Sequence, residues 1–386
     1  MSGNDVAAHR PPTAYSDFVH IGPGTLDGRY LRRFWHPVAR AQDLPAGGAK
    51  PLRILGEDYT FYRGEGGTPH VVAFRCAHRG TQLSTGWVEG DCIRCFYHGW
   101  KYDGSGQCVE QPAEDAGFAN KVRIKGHPCE EYLGLIFVYI GGGDAPPLPR
   151  LPEFETAGVL QNSGYVRACN YFQNLENGAD EAHVPFVHRD SDFSVYGLNW
   201  DIPRISAEET DYGLVYRAAR ANGVVRVSHV LMPNLLRIRI PPVDPAETAW
   251  RDHVAWRVPI DDEHHMSPAV ALVHLTGEAA ERYREQQQAR RAPVQPPADE
   301  VVAAILRGEH HVDEFKDRPD IVGIQDDVSQ IGQGAIADRR RERLGRSDVA
   351  VYLLRKIWAR ELRALAEGRP LKQWAHSQPL PATTGV

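Results

Sequence analysis

Two short segments, Cys76-Ala77-His78 and Cys95-Phe96-Tyr97-His98, decide how the first part of this chain folds. Each contains one cysteine and one histidine, and sixteen residues separate His78 from Cys95. A [2Fe–2S] cluster of the Rieske type needs this donor set, because two cysteines hold one iron and two histidines hold the other. We therefore predict that Cys76, His78, Cys95 and His98 bind such a cluster from two loops, and that the chain transfers single electrons.

Each Cys/His segment is followed by a glycine, Gly80 in the first and Gly99 in the second. Glycine permits a positive φ and a close approach of the backbone, so backbone N–H groups are expected to reach the cluster sulfurs. A structural zinc ion is the alternative, since zinc also takes two cysteines and two histidines. Zinc sites usually place both cysteines in one pair and both histidines in the other. The mixed pairs of this chain favour the cluster.

The remaining cysteines are predicted to be structural. Cys92 forms a Cys-x-x-Cys spacing with Cys95, but the sequence has no second such pair, and His98 is the better partner for Cys95. We expect four cysteines to pack as small hydrophobic residues, namely Cys92, Cys108, Cys129 and Cys169. Six cysteines in 386 residues are too few for a disulfide framework.

The composition is that of an ordinary globular protein and argues against several classes of function. The chain has 386 residues, of which 24% are charged and 42% apolar, and this length allows two or three domains. A net charge of −6 provides no basic surface for nucleic acid. The polar segment Met1–Pro12 lacks the apolar core of a signal peptide, and the longest apolar run, Leu133–Ile140, is too short to cross a bilayer. We expect a soluble, cytoplasmic protein without a membrane partner.

A proline-rich segment, Ala145–Pro152, follows a strand-like run and a Gly141-Gly142-Gly143 turn, and it predicts a domain boundary. Three parts are expected: a helical and extended segment that packs on the core (1–48), an all-β domain with the two Cys/His segments (49–148), and an α+β domain (149–386). Within the last part, the hydrophobic pattern predicts strands at 224–230, 235–240 and 270–275, helices at 298–306 and 350–365, and a polar loop at 290–297.

The α+β part carries a second group of metal-binding residue types, Asp180, His183 and His188. Asp180 and His183 are three residues apart and would share one face of a helix. Pro185 should disturb that helix, so His188 would follow from the turn beyond and converge with His183 on one ion. Two imidazoles and one carboxylate with open positions form the facial triad of non-heme Fe(II) oxygenases. Histidines at this spacing are more often solvated or core residues, but an electron-transfer cluster in the same chain favours an acceptor site.

The two patterns together resemble the α subunit of the Rieske non-heme iron (aromatic-ring-hydroxylating) oxygenases. Downstream, Gln325-Asp326-Asp327 followed by Gln333-Gly334 is similar to the phthalate-dioxygenase group of that family. The resemblance implies an N-terminal all-β Rieske domain and a C-terminal α+β catalytic domain of the helix-grip (START-like) type. It also implies that Asp326 is the third iron ligand. Asp327 is the alternative, and on a helix it would point about 100° away, so only one of the two should reach the metal.

The same resemblance implies a head-to-tail homo-oligomer, a trimer or a multiple of it, because in this family the cluster and the iron of one chain lie too far apart. Asp180 would then bridge His98 or His78 of one chain to His183 of its neighbour and couple the two sites. The implied reaction is O2-dependent hydroxylation or O-demethylation of a substituted aromatic compound, such as an aromatic acid. The alternative is a Rieske electron carrier whose second domain binds a ligand without iron.

The electrons must come from outside the chain, because the sequence has no Gly-x-Gly-x-x-Gly segment that indicates a nucleotide site. NAD(P)H is therefore expected to act through a separate reductase, with or without a ferredoxin. Arg79 and Trp100 fit either the docking surface for that electron donor or loop packing. Arg237 and Arg239 share one face of a strand and could hold a substrate carboxylate, although a solvent-facing strand side explains such a pattern more often. The pair His264-His265 is predicted to lie at the surface.

Overall fold

Short strands joined by glycine-rich turns build the N-terminal part of the protein. We describe the fold from a computed structural model, for residues 17–191, 197–198, 201–242, 250–289 and 294–375. Residues 1–16 of the predicted N-terminal segment and residues 290–293 of the predicted polar loop lie outside these ranges. The N-terminal elements are α1 (Leu26–Leu31), β1 (Trp35–Arg40), β2 (Ala49–Ile54), β3 (Glu57–Arg63), β4 (Pro69–Ala73), β5 (Trp87–Glu89), β6 (Cys92–Arg94), β7 (Lys101–Asp103), β8 (Cys108–Glu110), β9 (Gly126–His127), β10 (Cys129–Tyr132) and β11 (Leu135–Tyr139).

These strands form three small antiparallel sheets. The sheet orders are β1-β11-β10, β2-β3-β4-β9 and β5-β6-β7-β8. Strand β1 lies before residue 49, yet it pairs with β11 along its length, so the N-terminal segment contributes a strand to the first sheet. The two Cys/His segments lie at strand ends, one after β4 and the other between β6 and β7. A separate hydrophobic cluster that includes Cys76, Cys95, Trp100 and Tyr102 packs beneath them.

The second part is built on one eight-stranded antiparallel sheet of order β12-β19-β17-β16-β15-β14-β13, with β18 added to β19. Its strands are β12 (Val159–Arg167), β13 (Arg204–Glu209), β14 (Gly213–Ala219), β15 (Val225–Leu231), β16 (Leu235–Ile240), β17 (Arg251–Trp256), β18 (Val258–Pro259) and β19 (His265–Val273). The helices are α2 (Tyr171–Asn177), α3 (Val184–Val187), α4 (Gly277–Ala289), α5 (Ala298–Leu306), α6 (Ile321–Ile331) and α7 (Val349–Ala366). The predicted α+β class is confirmed, and the predicted helices 298–306 and 350–365 correspond to α5 and α7. None of the helices in the described ranges is both long and apolar enough to pass through a membrane.

The two faces of the large sheet have different neighbours. On one face, the Trp256 ring packs edge-on against Phe137 of β11, with ring centroids 5.4 Å apart, and joins the two parts of the protein. On the other face, the Arg167 guanidinium of β12 donates to Asp327 of α6, and the Tyr216 hydroxyl of β14 donates to the Gly178 carbonyl at the end of α2. We call this second side the helix-facing side of the sheet. It is the side on which the candidate metal site is assembled.

Candidate metal centres

The two Cys/His segments adopt nearly the same backbone turn. In the first, Cys76 N–H donates to Thr81 O at 2.8 Å and Gly80 N–H donates to Cys76 O at 3.0 Å. In the second, Cys95 N–H donates to Trp100 O at 2.8 Å and Gly99 N–H donates to Cys95 O at 3.1 Å. Gly80 and Gly99 have φ values of +76° and +73°, a conformation that glycine adopts without strain. The repeated turn presents one cysteine and one histidine from each loop toward the other loop.

The four donors of these loops lie together at one end of the β-rich part. The Cys76 and Cys95 thiols are buried, while the His78 and His98 rings are partly exposed, with centroids 4.4 Å apart. Burial raises the pKa of the Cys95 thiol, whereas hydrogen bonds from the backbone N–H groups of Tyr97 and His98 lower it. These N–H groups reach the sulfur as expected, and a bound metal would stabilise the thiolate against burial. The donor set therefore fits a Rieske cluster.

Trp100 and Arg79 have different environments beside the cluster loops. Trp100 is buried and stacks on the His78 ring, with centroids 4.5 Å apart and planes 10° apart. This contact makes Trp100 part of the loop packing and fixes the orientation of one histidine. Arg79 is exposed, and its guanidinium lies 5.5 Å from the centre of the Tyr97 ring. Arg79 thus remains available to a partner at the surface.

Tyr102 is a residue of the cluster site that sequence reasoning missed. Its hydroxyl oxygen lies 3.2 Å from Cys76 Sγ and accepts a hydrogen bond from the Ala77 N–H at 3.2 Å. Because the oxygen already accepts from the backbone, its own proton is free to point at the sulfur. Burial raises the pKa of this phenol, so the proton is retained. The only sequence signal was a tyrosine two residues beyond the turn that ends at Trp100, which is a weak one.

Asp180 and His183 lie in a turn between two helices, so the prediction of a shared helix face was wrong. Helix α2 ends at Asn177, and α3 begins after His183. Pro185 occupies the first turn of α3, where a missing N–H costs nothing, so it starts a helix instead of disturbing one. Asp180 Oδ2 still lies 3.7 Å from His183 Nδ1. The turn brings the two side chains together in place of the predicted helix.

The structure brings His183, His188 and Asp326 together. One donor atom from each of these residues lies within 4.8 Å of the others. His188 follows α3 directly, and Asp326 lies in the middle of α6. The buried Asp326 Oδ1 has no hydrogen-bond partner among the described residues. Two imidazoles and a carboxylate with an unsatisfied buried oxygen fit a divalent ion of the facial-triad type.

The two adjacent aspartates of α6 point in different directions. Asp326 Oδ1 lies 3.6 Å from His188 Nε2, on the metal side. Asp327 Oδ1 instead accepts from Arg167 Nε at 2.5 Å. Gln325 completes the arrangement, because its Oε1 accepts from His188 Nδ1 at 2.9 Å and leaves Nε2 as the ligating nitrogen. The geometry therefore favours Asp326 over Asp327 as the ligand.

Mutual interactions set the charge states of this site before any metal binds. Burial alone would raise the pKa of Asp326, but the neighbouring His188 ring, with the charges of His183 and Arg167, lowers it below the usual range. Burial opposes protonation of His183, yet the nearby Asp180 carboxylate and the Asp326 charge raise its pKa. The same contact lowers the pKa of Asp180 against the effect of burial. Asp326 and Asp180 are thus ionised at neutral pH, as metal binding and hydrogen-bond acceptance require.

A buried ion cluster anchors the turn that carries Asp180 and His183, and sequence reasoning missed it. Glu181 is 2% exposed, and its carboxylate accepts from Arg220 Nη2 at 2.8 Å and from Arg226 Nη1 at 3.3 Å. Arg220 also donates to the Leu198 carbonyl at 2.8 Å. Breaking such a buried pair typically costs about 3–5 kcal/mol. Glu181 therefore fixes the turn to the tip of the β14–β15 hairpin.

Two further predictions about side chains were wrong. Arg237 was expected at a solvent-facing strand side, but it is 5% exposed and its Nε lies 3.2 Å from Glu153 Oε1. Arg237 and Arg239 also alternate with Leu236 and Ile238, which puts them on the side of the sheet away from the helices. His265 was expected at the surface together with His264, but it is fully buried and hydrogen-bonded to the Cys169 carbonyl.

The remaining cysteines pack largely as predicted. Cys108 and Cys169 are buried, and Cys92 and Cys129 are partly buried. All six cysteines lie in the described part of the chain and are free thiols. No structural disulfide therefore competes with the cluster for Cys76 or Cys95.

Comparison with known proteins places this geometry in a family. Residues 34–129 match the family model of the Rieske [2Fe-2S] domain. The 5,5'-dehydrodivanillate O-demethylase oxygenase subunit of Sphingobium sp. (strain NBRC 103272 / SYK-6) is 31% identical over 370 residues, which cover 92% of this chain and 81% of that protein. The chain belongs to the Rieske non-heme iron oxygenases. As an oxygenase subunit of this family, it uses a Rieske [2Fe–2S] cluster, a mononuclear iron and O2.

Other relatives agree with this assignment, and a solved structure has the same fold. The phenoxybenzoate dioxygenase subunit alpha of Ectopseudomonas oleovorans is 30% identical and covers 90% of this chain and 84% of that protein. The phthalate 4,5-dioxygenase oxygenase subunit of Pseudomonas putida is 29% identical, covering 88% of this chain and 83% of that protein. The terminal oxygenase of carbazole 1,9a-dioxygenase from Novosphingobium sp. KA1 has the same fold, with a TM-score of 0.64, 22% identity and coverage of 92% of this chain and 96% of that chain.

Proposed function

We propose that this Rieske oxygenase hydroxylates or O-demethylates a substituted aromatic compound at a ferrous ion held by His183, His188 and Asp326. The observation that carries the proposal is the convergence of these three side chains in a chain that also presents two Cys and two His from paired loops. When bound, the cluster would supply single electrons and the ferrous ion would activate O2. Relatives named as an O-demethylase and as dioxygenases support both reactions.

The residues of the iron site have separate tasks in this proposal. His188 is held in one tautomer because Gln325 accepts its Nδ1 proton, which directs Nε2 to the metal. Asp327 does not ligate; it neutralises the Arg167 guanidinium, which is almost fully buried. Asp326 is then the carboxylate that offers an oxygen to the ion. When bound, the ion would keep open positions that O2 could occupy, with the substrate beside it.

Asp180 is proposed to couple two sites across a subunit interface. Its carboxylate is ionised and lies 3.7 Å from His183 Nδ1, so it can orient that ring while its second oxygen accepts another hydrogen bond. By resemblance to the family, the second donor would be His98 or His78 of a neighbouring chain. Such a contact is heterologous, and it closes into a head-to-tail ring such as a trimer.

The protein is proposed to receive electrons from a separate NAD(P)H reductase, directly or through a ferredoxin. The partly exposed His78 and His98 make the cluster end accessible, and Arg79 offers a cation there. Structures of carbazole 1,9a-dioxygenase include complexes of oxygenase and ferredoxin. Six free thiols suit the reducing cytoplasm, which we propose as the location.

Iron content and product analysis test the proposal. An oxygenase holds about three irons per chain, two in the cluster and one in the facial triad, whereas a Rieske electron carrier holds about two. With a reductase and NADH, the products from a panel of aromatic acids and aryl methyl ethers separate the reactions: formaldehyde indicates demethylation, and a dihydrodiol or phenol indicates ring hydroxylation. Two irons per chain with no product would refute the proposal.

The bridging role of Asp180 needs its own variant. We expect Asp180→Asn to keep three irons and the cluster spectrum but to lose coupled turnover, because the amide cannot accept two imidazole N–H bonds in the same way. Glu208→Gln changes an exposed carboxylate paired with Arg217 and serves as the control. Turnover of Asp180→Asn at the rate of the unmodified enzyme would rule out the bridge.

A further inference from the structure

Arg257 carries a buried cation that has no carboxylate partner in the described part of the chain. The residue is 6% exposed, and its Nη1 donates to Ser267 Oγ at 2.6 Å. Its Nε is buried and has no hydrogen-bond partner among the described residues. Within the same ranges no carboxylate oxygen forms an ion pair with it, although the Asp326 charge lies close enough to influence it. Burying an unpaired charge is costly, so an anion is expected to complete this site.

Two other buried arginines on the helix-facing side, Arg167 and Arg226, already have acidic partners. Arg167 pairs with Asp327 through Nε at 2.5 Å, and Arg226 pairs with Glu181 at 3.3 Å. In both cases the charge of the arginine is neutralised by a carboxylate of the same chain. Arg257 differs because its only described side-chain acceptor is a neutral hydroxyl.

The strand register places Arg257 on the helix-facing side of the sheet, which is the side toward the proposed iron ligands. Ala255 lies opposite Ala269, and Val258 lies opposite Met266, so Arg257 falls opposite Ser267 between these pairs. Ser267 is in turn the strand neighbour of Tyr165, two residues before Arg167. Arg167 reaches Asp327 of α6, next to Asp326. Arg257 thus lies on the side of the sheet that faces α6, close enough to Asp326 for the two charges to interact.

Small side chains line the sheet beside this cation. Ala255, Ala269 and Ala271 lie on the helix-facing side of β17 and β19 and are buried. His253 also lies on this side, opposite Ala271, and its buried Nδ1 has no hydrogen-bond partner among the residues that the structure describes. Burial, with the charges of Arg257 and two other arginines, lowers the pKa of His253 to about 4, so its ring is neutral and can donate or accept one hydrogen bond. A flat ring next to three alanines would bring an anionic substituent within reach of a fixed guanidinium.

We propose that Arg257 binds the carboxylate of an aromatic acid substrate and holds its ring beside the iron site. The inference rests on the proposed function and adds the substrate's charge and its anchor. A guanidinium binds a carboxylate through two parallel N–H···O bonds, which fixes the ring orientation as well as its position. Arg257 is accordingly a specificity-determining residue, while Arg237, the earlier candidate, is already paired with Glu153 on the other side of the sheet.

Matched ligands that differ only in charge test this assignment. We would measure binding to the iron-loaded protein by anaerobic calorimetry, with methoxybenzoates and chlorobenzoates and with the amide of each. We expect the unmodified protein to bind at least one carboxylate about 10- to 100-fold more tightly than its amide, because the charge-assisted hydrogen bonds are lost in the amide. Arg257→Gln should remove this preference and leave amide binding within about threefold, and Arg257→Lys should restore part of it.

The controls separate this proposal from the proposed function. Arg217→Gln removes an exposed arginine and should keep the carboxylate preference. If no carboxylate binds more tightly than its amide, or if Arg257→Gln weakens both ligands equally, Arg257 is not the anchor. Iron content and product formation are measured on the same samples. A carboxylate preference without O2-dependent product would reject the proposed function but keep the anion site. Product formation without a carboxylate preference would keep the proposed function but reject Arg257 as the anchor.

Discussion

The roles of the two adjacent aspartates lead to a quantitative prediction for Asp327→Asn. Asp327 neutralises Arg167, whose side chain is 2% exposed, so the substitution leaves a buried guanidinium without its counter-charge. Loss of one partner from a buried pair costs about 3–5 kcal/mol. Arg167 keeps its bond to Gln330 Oε1 at 2.5 Å and its contact with the Tyr165 ring, 4.7 Å from the centroid. These remaining contacts place the expected loss near the lower limit, about 3 kcal/mol.

A thermal scan and an iron analysis measure the two consequences separately. For a domain of this size, 1 kcal/mol shifts the unfolding midpoint by roughly 2–4 °C, so Asp327→Asn should unfold about 6–12 °C earlier. The iron content should stay near three per chain, because Asp327 is not a ligand. Asp326→Asn should lose one iron per chain and keep the cluster spectrum. Asp338→Asn, at an exposed pair with Arg340, is the control. Loss of iron from Asp327→Asn without a change in the midpoint would refute the reasoning.

Three further outcomes follow from the two metal sites. His183→Ala should lose the mononuclear iron while the cluster spectrum survives; loss of both signals would contradict two independent sites. Tyr102→Phe removes a hydrogen bond to Cys76 Sγ, so it should lower the cluster potential by about 60 mV, which is about 1.4 kcal/mol for one electron. Redox titration measures the potential, and an unchanged value would contradict the prediction. In metal titrations, the affinity of the protein for Fe(II) should fall as the pH falls through the raised pKa of His183, because the proton competes with the ion. An affinity that does not change with pH would contradict this.

The raised pKa of His183 also has a consequence for the metal-free protein, with a defined sign. Its folded-state pKa lies above the ordinary 6.5. Protonated His183 therefore stabilises the metal-free fold fully below the unfolded-state pKa, and this contribution is lost as the pH rises through the folded-state value. Urea unfolding of the metal-free protein at several pH values measures the effect. A free energy of unfolding that increases as the pH rises through the folded-state pKa of His183 would contradict this expectation.

The cluster loops were predictable because their signal is local. A cysteine and a histidine two or three residues apart, followed by a glycine with positive φ, already define a turn that presents both donors. Tyr102 was not predictable in the same way. Its contact with Cys76 joins residues 26 positions apart across two strands, and a single tyrosine in a strand carries no pattern that reveals such a contact.

The iron site shows where local reasoning fails. The spacing of Asp180 and His183 fits a helix, but α2 ends before them, and the buried contacts of Glu181 with Arg220 and Arg226 hold the turn instead. Those contacts cross about 40 residues of chain, so sequence spacing could not indicate them. The expectation for His265 failed for a related reason, because its burial depends on the packing of β19 against α2.

The sequence by itself determined the donor types of the proposed sites: two mixed Cys/His pairs for a cluster, and two histidines with one of two adjacent aspartates for an iron. It also determined that a β-rich part precedes an α+β part. The tertiary structure alone decided which of the two aspartates lies beside His183 and His188, and that Arg257 has no acidic partner among the described residues. Both choices depend on the side of a helix or strand that a residue occupies and on what packs there. Asp326 and Asp327 have the same chemistry in the sequence, and only the position of Arg167 on β12 distinguishes them.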